Sequence, residues 1–201
     1  MIPEDNDRTY VRYEETESLA SITPSVVYED PQNYCDPLST KLHKWAFRGD
    51  VSKIKKNLKK NEVNAEDEKR RTPLHMGAYE GHVKVISLLL SSGANPESED
   101  KDGRTPVLKA VEKGHVEAVQ TFLKHKVNIH AKDYYGNSAL HLACKSNSKN
   151  LVEILLECGI DLNQQNMRGR TPLYRAVEHQ DNEIKNRIAS SENGGYASTL
   201  Y

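Results

Sequence analysis

The feature that most constrains the fold is a four-residue phrase that returns every 33 positions along the chain. It begins at Thr72, Thr105, Ser138 and Thr171, and it reads Thr-Pro-Leu-His, Thr-Pro-Val-Leu, Ser-Ala-Leu-His and Thr-Pro-Leu-Tyr in turn. Self-similarity at one fixed period of this length indicates a stack of identical supersecondary units. We therefore expect an array in which each unit packs against its neighbours and offers an extended binding surface.

Each unit is predicted to be a helix, a turn and a second helix. Thr72 has the side chain of a helix N-cap, and Pro73 suits the first helical position. Gly81 is expected to end the first helix, where a positive φ is often required. One unit cannot bury an apolar stripe alone, so the core is expected to lie between stacked units. The stripe of the second helix is predicted at i, i+3 and i+4, which in this unit are Val85, Leu88 and Leu89.

Five units are predicted, and their bounds are about 39–66, 67–99, 100–132, 133–165 and 166–189. The preceding residues 1–38 hold nine acidic and two basic residues, whereas the rest of the chain holds 20 acidic and 26 basic residues. We expect this acidic head to be disordered. Residues 190–201 are expected to be a flexible tail. The second helix of the fifth unit reads Glu-Ile-Lys-Asn-Arg-Ile, which is typical either of a polar cap or of a truncated array whose final helix frays.

A Thr-Pro-Leu-His phrase at a 33-residue period resembles the ankyrin repeat, and the resemblance extends over about 39–189. It implies an all-α ankyrin-repeat solenoid of about five helix-turn-helix units with disordered termini. It also implies a non-catalytic protein that binds other proteins through its turn fingertips and the inner face of each first helix. Within that family, Leu42-His43-Lys44, Gly49-Asp50-Val51 and the phrase that follows Arg71 are similar to the first repeats of the vertebrate POTE-type proteins.

Carried over residue by residue, the resemblance places the binding residues at the fingertips and on the first helices. The residue before the capping Thr or Ser forms one column of equivalent positions, and it is an arginine in three of four units. In the remaining unit this position is Asn137, and Tyr134 and Tyr135 lie close before it in the sequence. Arginine and tyrosine are enriched at binding hot spots. We therefore predict a protein partner with an acidic or phosphorylated flexible segment, while an ordinary solvated basic surface would carry the same residues. The predicted contacts are Arg71, Tyr79, Lys101, Arg104, Tyr134, Tyr135, Asn137, Arg168 and Arg170.

Other classes of function find little support in the sequence. It holds no glycine-rich phosphate loop, no His-Glu-x-x-His and no readable Cys–His nucleophile, so we expect no enzyme, no cofactor and no small-molecule substrate. Eight histidines do not predict a metal site, since equivalent residues of stacked units lie about 10 Å apart and zinc bonds measure about 2 Å. Three cysteines without metal-ligand spacing indicate a cytoplasmic or nuclear protein. A net charge of −1 and the lack of a long apolar stretch argue against nucleic-acid and membrane partners, and we expect a monomer.

Two alternatives stay open. In the first, the protein is a regulatory or sequestering subunit whose acidic head masks or engages a basic surface. In the second, a lysine-rich helix of the first unit contacts anionic lipid or nucleic acid, although such a run is more often a solvated outer face. The lysines of this helix are Lys53, Lys55, Lys56, Lys59 and Lys60.

Overall fold

In the computed structural model the described residues are 40–59, 62–178 and 182–193, and they form short helices joined by turns. Within these ranges no β-strand forms, and one isolated β-bridge joins Lys132 to Ser138. The predicted all-α solenoid of helix-turn-helix units is confirmed. The helices are α1 Lys41–Arg48, α2 Val51–Asn57, α3 Pro73–Tyr79, α4 Val83–Ser91, α5 Pro106–Glu112, α6 Val116–Lys124, α7 Ala139–Lys145, α8 Lys149–Glu157, α9 Pro172–Glu178 and α10 Asn182–Asn193.

The units stack first helix on first helix and second helix on second helix. α3 packs against both α1 and α5, and α4 packs against α6 in the same way. Burying a large apolar side chain stabilises a fold by about 1.5–3 kcal/mol, so the repeated core positions hold neighbouring units together. One fully buried column follows the 33-residue period along the second helices, at Leu89, Phe122, Leu155 and Ile188.

A histidine ties the capping residue of one unit to the next unit. His75 Nδ1 accepts the backbone N–H of Thr72 at 3.0 Å and lies 2.9 Å from the Thr72 hydroxyl. Since Nδ1 is an acceptor, the proton is assigned to Nε2, which donates to the carbonyl of Arg104 at 2.9 Å. His43 and His141 make the same set of contacts in their own units. The histidines of the repeated phrase are therefore structural, as the sequence indicates.

Three residues other than glycine adopt a left-handed backbone at turn positions where other units carry glycine. The φ values are +56° at Arg70, +57° at Lys126 and +54° at Asn147. Gly103 holds the place of Arg70 one unit later and Gly114 holds the place of Asn147 one unit earlier, with φ of +72° and +79°. A residue with a Cβ is less stable in this conformation by about 1–2 kcal/mol, so stacking imposes the turn on these residues at a local cost in stability.

The second helix of the fifth unit has a buried apolar side and an otherwise polar surface. α10 buries Ile184 and Ile188 and exposes the polar side chains between them. It continues to Asn193, four residues beyond the predicted end of the unit at 189. The predicted disordered head, residues 1–38, and residues 194–201 lie outside the described residues.

Candidate partner-binding surface

A buried aspartate or asparagine fixes each fingertip turn. Oδ1 of Asp67 accepts the backbone N–H groups of Lys69 at 2.9 Å and of Arg71 at 2.8 Å. The same bonds, to residues two and four positions later, recur in the other turns at the 33-residue period. Each turn is thus held by its own side chain. These anchors were not among the predicted functional residues, although their period marks them in the sequence: Asp67, Asp100, Asp133 and Asn166.

Backbone hydrogen bonds join neighbouring fingertips into a row. The N–H of Lys101 donates to the carbonyl of Lys69 at 3.0 Å. The N–H of Met167 donates to the carbonyl of Tyr135 at 2.9 Å, and the turn between these pairs follows the same pattern. The side chains at the tips are therefore presented from a backbone that the fold has already ordered, which lowers the entropic cost of binding.

Arg71 is buried and stabilises its own turn. Its side chain is 4% exposed, and its Nε donates to Oδ2 of Asp67 at 2.7 Å, with Nη2 at 2.7 Å from the same oxygen. Its backbone carbonyl accepts the Nε2–H of His43 at 2.8 Å. Removing one partner of a buried ion pair leaves an uncompensated charge, so Arg71 contributes to the fold rather than to a surface.

Arg104 lies in a group of charges that joins the third and fourth units. Its Nη1 contacts both carboxylate oxygens of Glu112, at 3.0 and 2.9 Å, and its Nε lies 3.5 Å from Oδ2 of Asp133. Beside it, the ammonium of Lys109 lies 2.8 Å from Asp100. Burial opposes the charged form of Arg104, but the surrounding carboxylates, Glu112 foremost, hold its pKa above the ordinary value. The guanidinium is therefore committed to contacts within the array.

Asn137 connects two of the turn anchors. Its Nδ2 donates to Oδ2 of Asp133 at 3.0 Å, and its Oδ1 accepts the Nδ2–H of Asn166 at 2.8 Å. Arg170, at the same position of the fifth unit, is half-buried, and its guanidinium carbon lies 5.0 Å from the ring centre of Tyr174.

Three of the four positions in the predicted column of contacts do not present their side chains to solvent. Arg71, Arg104 and Asn137 have side chains turned into the fold, where they neutralise or bridge the carboxylates that hold the turns. Equivalent positions of a repeat point in the same direction, and here that direction is mostly inward. Arg170 keeps more exposure because no further unit covers it among the described residues.

Large apolar side chains are exposed on two neighbouring fingertips. Tyr134 is 48% exposed, Tyr135 55% and Met167 79%. The ring of Tyr134 covers Gly103, where an added Cβ would lie 2.2 Å from a ring carbon, and its hydroxyl donates to Oε2 of Glu99 at 3.1 Å. Grouped exposed apolar side chains are typical of an interaction surface. Both predicted tyrosines therefore lie at an accessible position, together with Met167, which was not among the predicted contacts.

Exposed cations border these apolar side chains. Within residues 132–137 and 165–170 the one acidic residue is Asp133, and it is buried. The accessible charge on these two turns is therefore positive, which suits a carboxylate or a phosphate. The fingertip surface is defined here as Lys101, Lys132, Tyr134, Tyr135, Met167 and Arg168, all of which are exposed.

Tyr79 is engaged within the row of first helices. It is half-buried, and its ring stacks on Phe47 with the two ring centroids 6.4 Å apart. The ammonium of Lys113 lies 4.1 Å from the centroid of the same ring. Because these contacts join the ends of α1, α3 and α5, we leave Tyr79 out of the fingertip surface.

The lysine-rich helix of the first unit is partly neutralised. Lys53 and Lys59 contact acidic residues of their own unit at 2.9 and 3.7 Å. Lys55 and Lys56 are exposed, and Lys60 lies outside the described residues. No contact in the described part of the chain favours lipid or nucleic acid at this helix over a solvated outer face.

Burial shifts the pKa of several titratable groups of the array. Burial lowers the pKa of His75 to about 4, and it also lowers the pKa of His43 and of His141. Burial raises the pKa of the Cys158 thiol, which weakens it as a nucleophile.

Among residues 40–59, 62–178 and 182–193, no group of three or more His, Cys, Asp or Glu side chains is placed to hold a metal ion. In the same ranges no helix combines the length and apolar character that would let it cross a membrane.

Comparison with known proteins agrees with this architecture. The family described as ankyrin repeats (3 copies) matches residues 26–100, 42–133, 88–166 and 134–194. A human protein named Ankyrin repeat domain-containing protein 7 is 46% identical over 52 residues, which make up 25% of this chain and 20% of that protein. The match thus spans about a fifth of the length of this curated relative. The similarity to the POTE-type proteins stays a prediction.

Proposed function

The chain belongs to the ankyrin-repeat family, whose members generally mediate protein–protein interaction and are typically non-catalytic, and from this premise we propose that its fingertip surface binds a partner protein. One observation carries the proposal. Tyr134, Tyr135 and Met167 are about half exposed or more, and they lie on neighbouring turns that a backbone hydrogen bond joins. Removal of such side chains from water on binding supplies the main favourable free energy.

The partner is a flexible segment that carries acidic or phosphorylated residues beside an apolar or aromatic one. The supporting observation is the charge of the two turns, where Lys132 and Arg168 are exposed and Asp133 is buried beneath them. Carboxylate and phosphate groups form strong charge-assisted hydrogen bonds with such cations. The apolar residue of the segment packs against Tyr135 and Met167.

A flexible ligand fits the rigidity of this surface. The turns are held by the buried anchors and by bonds between fingertips, so the array loses little conformational entropy on binding. Most of the conformational entropy lost on binding is that of the segment, which can follow the row of fingertips in an extended conformation.

The proposal is tested by selection from a displayed library of random peptides, with and without phosphorylation. The wild-type chain is compared with a charge variant, Lys132→Glu with Arg168→Glu, and with an apolar variant, Tyr135→Ser with Met167→Ser. We expect wild type to enrich acidic peptides that contain an aromatic residue. The charge variant should lose this preference, and the apolar variant should bind the same peptides at least about tenfold more weakly.

A matched control separates the fingertip surface from a general charge effect. Lys84→Glu with Lys124→Glu makes the same change in net charge on the exposed faces of α4 and α6. This control should enrich the same peptides as wild type, and all variants should keep the unfolding midpoint of wild type. If both fingertip variants select the wild-type peptides with unchanged affinity, the fingertip surface is not the binding site.

A further inference from the structure

The accessible charges of the fingertip turns change sign along the row. The negative half of the row is defined as the turns 66–70 and 99–103, and the positive half as the turns 132–136 and 165–169. The negative half carries four accessible acidic and three accessible basic residues, whereas the positive half carries two basic residues and no accessible acid within its ranges. The acids are Glu66, Glu68, Glu99 and Asp102, and the bases are Lys69, Arg70, Lys101, Lys132 and Arg168.

The buried charges beneath the row do not alter this pattern. The aspartates that anchor the first three turns each meet a cation of the array, at 2.7, 2.8 and 3.5 Å, in the pairs Asp67–Arg71, Asp100–Lys109 and Asp133–Arg104. A ligand at the fingertips therefore meets a potential that the accessible side chains determine.

Glu99 and Asp102 are the acids that adjoin the apolar fingertip residues. Tyr134 donates its hydroxyl hydrogen to Oε2 of Glu99 at 3.1 Å and its backbone N–H to the carbonyl of Asp102 at 2.9 Å. A bond from a neutral hydroxyl does not cancel the charge of Glu99. Nη1 of Arg104 lies 3.7 Å from Asp102, but it lies closer to Glu112, at 2.9 Å, and it does not neutralise Asp102 alone. A cation of a ligand would meet two carboxylates beside Tyr134.

The bases of the negative half reduce its charge but do not reverse it. Nε of Arg70 lies 3.8 Å from Oε2 of Glu66, and Nη1 of Arg70 donates to the hydroxyl of Tyr134 at 3.5 Å. Lys101 is the one base of the turn 99–103, where it stands between two accessible acids. Since the positive half offers no accessible acid within its ranges, a basic residue of the partner is favoured at one end of the row.

The spacing of the units sets the length of a segment that reaches both halves. α5 packs against α7 and α7 packs against α9, so the turns of the third and fifth units are two helix spacings apart. Packed helices lie about 8–10 Å apart, which gives a separation of about 16–20 Å. An extended chain advances about 3.3–3.6 Å per residue, so about five or six residues cover this distance.

Resting on the binding role proposed for the fingertip surface, we propose that the partner segment is itself dipolar and binds in one orientation. Its acidic or phosphorylated residues lie over the positive half, and its apolar residue packs on Tyr135 and Met167. A lysine or arginine about five or six residues from the acids lies over Glu99 and Asp102. The opposite orientation places like charges against each other. Exposed ion pairs contribute little affinity each, so the charge pattern selects the orientation and the partner.

A peptide library with a fixed central tryptophan tests the proposal. Five residues on each side vary among glutamate, lysine, glycine and serine. We expect the wild-type chain to enrich peptides with glutamate on one side of the tryptophan and lysine on the other. The variant Glu99→Gln with Asp102→Asn should keep the preference for glutamate and bind the lysine-containing peptides about three- to tenfold more weakly. The control Glu117→Gln with Glu157→Gln removes the same charge from exposed positions of α6 and α8 and should select the wild-type peptides.

A nitroxide label locates each end of an enriched peptide on the wild-type chain. With the label at the lysine end, the amide NMR signals of residues 99–103 should broaden more strongly than those of residues 165–169. With the label at the glutamate end, the order should be reversed. This measurement needs no substitution in the protein.

The outcomes separate this inference from the proposed function. Enrichment of glutamate on both sides of the tryptophan, weakened by Tyr135→Ser with Met167→Ser, would keep the fingertip surface as the binding site and reject the dipolar segment. An unchanged preference for lysine in Glu99→Gln with Asp102→Asn, or equal broadening of both turns by each label, would reject the orientation. If the wild-type chain enriches no peptide, both the inference and the proposed function are overturned.

Discussion

We expect the substitution of threonine by valine to have opposite effects at two equivalent positions, Thr72 and Thr105. The hydroxyl of Thr72 lies 2.9 Å from Nδ1 of His75 and has a hydrogen-bond partner. In the next unit Leu108 stands in place of the histidine, and the hydroxyl of Thr105 is buried without a partner among the described residues. The same change therefore removes a hydrogen bond at one position and an unpaired polar group at the other.

The magnitudes follow from these two environments. A buried hydroxyl without a partner costs about 1–3 kcal/mol, and valine has nearly the shape of threonine without the polar group. Thr105→Val should therefore raise the free energy of unfolding by about 1 kcal/mol. A hydrogen bond of ordinary strength contributes about 0.5–1.5 kcal/mol, so Thr72→Val should lower the free energy of unfolding by about 1 kcal/mol.

Urea unfolding followed by circular dichroism measures both changes, provided that the slope with urea is the same for all variants. A third variant, Leu108→His, supplies the missing acceptor to Thr105. In that background Thr105→Val should lose its stabilising effect and become destabilising. A shift in the same direction for Thr72→Val and Thr105→Val, or no coupling between positions 105 and 108, would refute the assignment of Nδ1 as the hydroxyl's partner.

Three further outcomes follow from the described contacts. Lys126→Gly should raise the thermal midpoint, by an amount equivalent to about 1 kcal/mol, because Lys126 has φ +57° where other units use glycine. Arg71→Met should lower the free energy of unfolding, measured by urea unfolding, by about 3–5 kcal/mol, because it leaves the buried carboxylate of Asp67 without its ion-pair partner. The control Lys101→Met, at an exposed fingertip, should change the free energy of unfolding by less than about 0.5 kcal/mol. The urea midpoint should fall as the pH is lowered from about 6.5 toward 4, because the unfolded chain protonates His75 near its ordinary pKa while burial lowers the folded pKa to about 4. This fall should be smaller in His75→Gln.

Much of the fold is readable from local chemistry. Thr72, Pro73 and Gly81 favour the start and the end of a helix through their own backbone preferences. The apolar spacing that begins at Val85 gives the second helix and its buried side. The period then requires that neighbouring units repeat this geometry. These features depend on residues close together in the sequence, so the sequence predicts them correctly.

The candidate site was predicted less completely, because a column of residues does not show which way its side chains point. Arg71 and Arg104 have the composition of a binding surface, but each meets carboxylates that the fold brings close. The spacing of four residues between Asp67 and Arg71 could have predicted their ion pair from the sequence. Tyr135 and Met167 belong to different units of the sequence, and the hydrogen bond between their turns makes them neighbours.

The sequence by itself determined the repeating unit, its helices, its caps and the residues that form its core. Only the tertiary structure decided which positions of that unit meet solvent. Val111 and Val177 are the same residue at the same repeat position, yet one is fully buried and the other is 49% exposed. The helical backbone around them is alike, but burial depends on whether another unit packs across the face, and that contact is not encoded at the position itself.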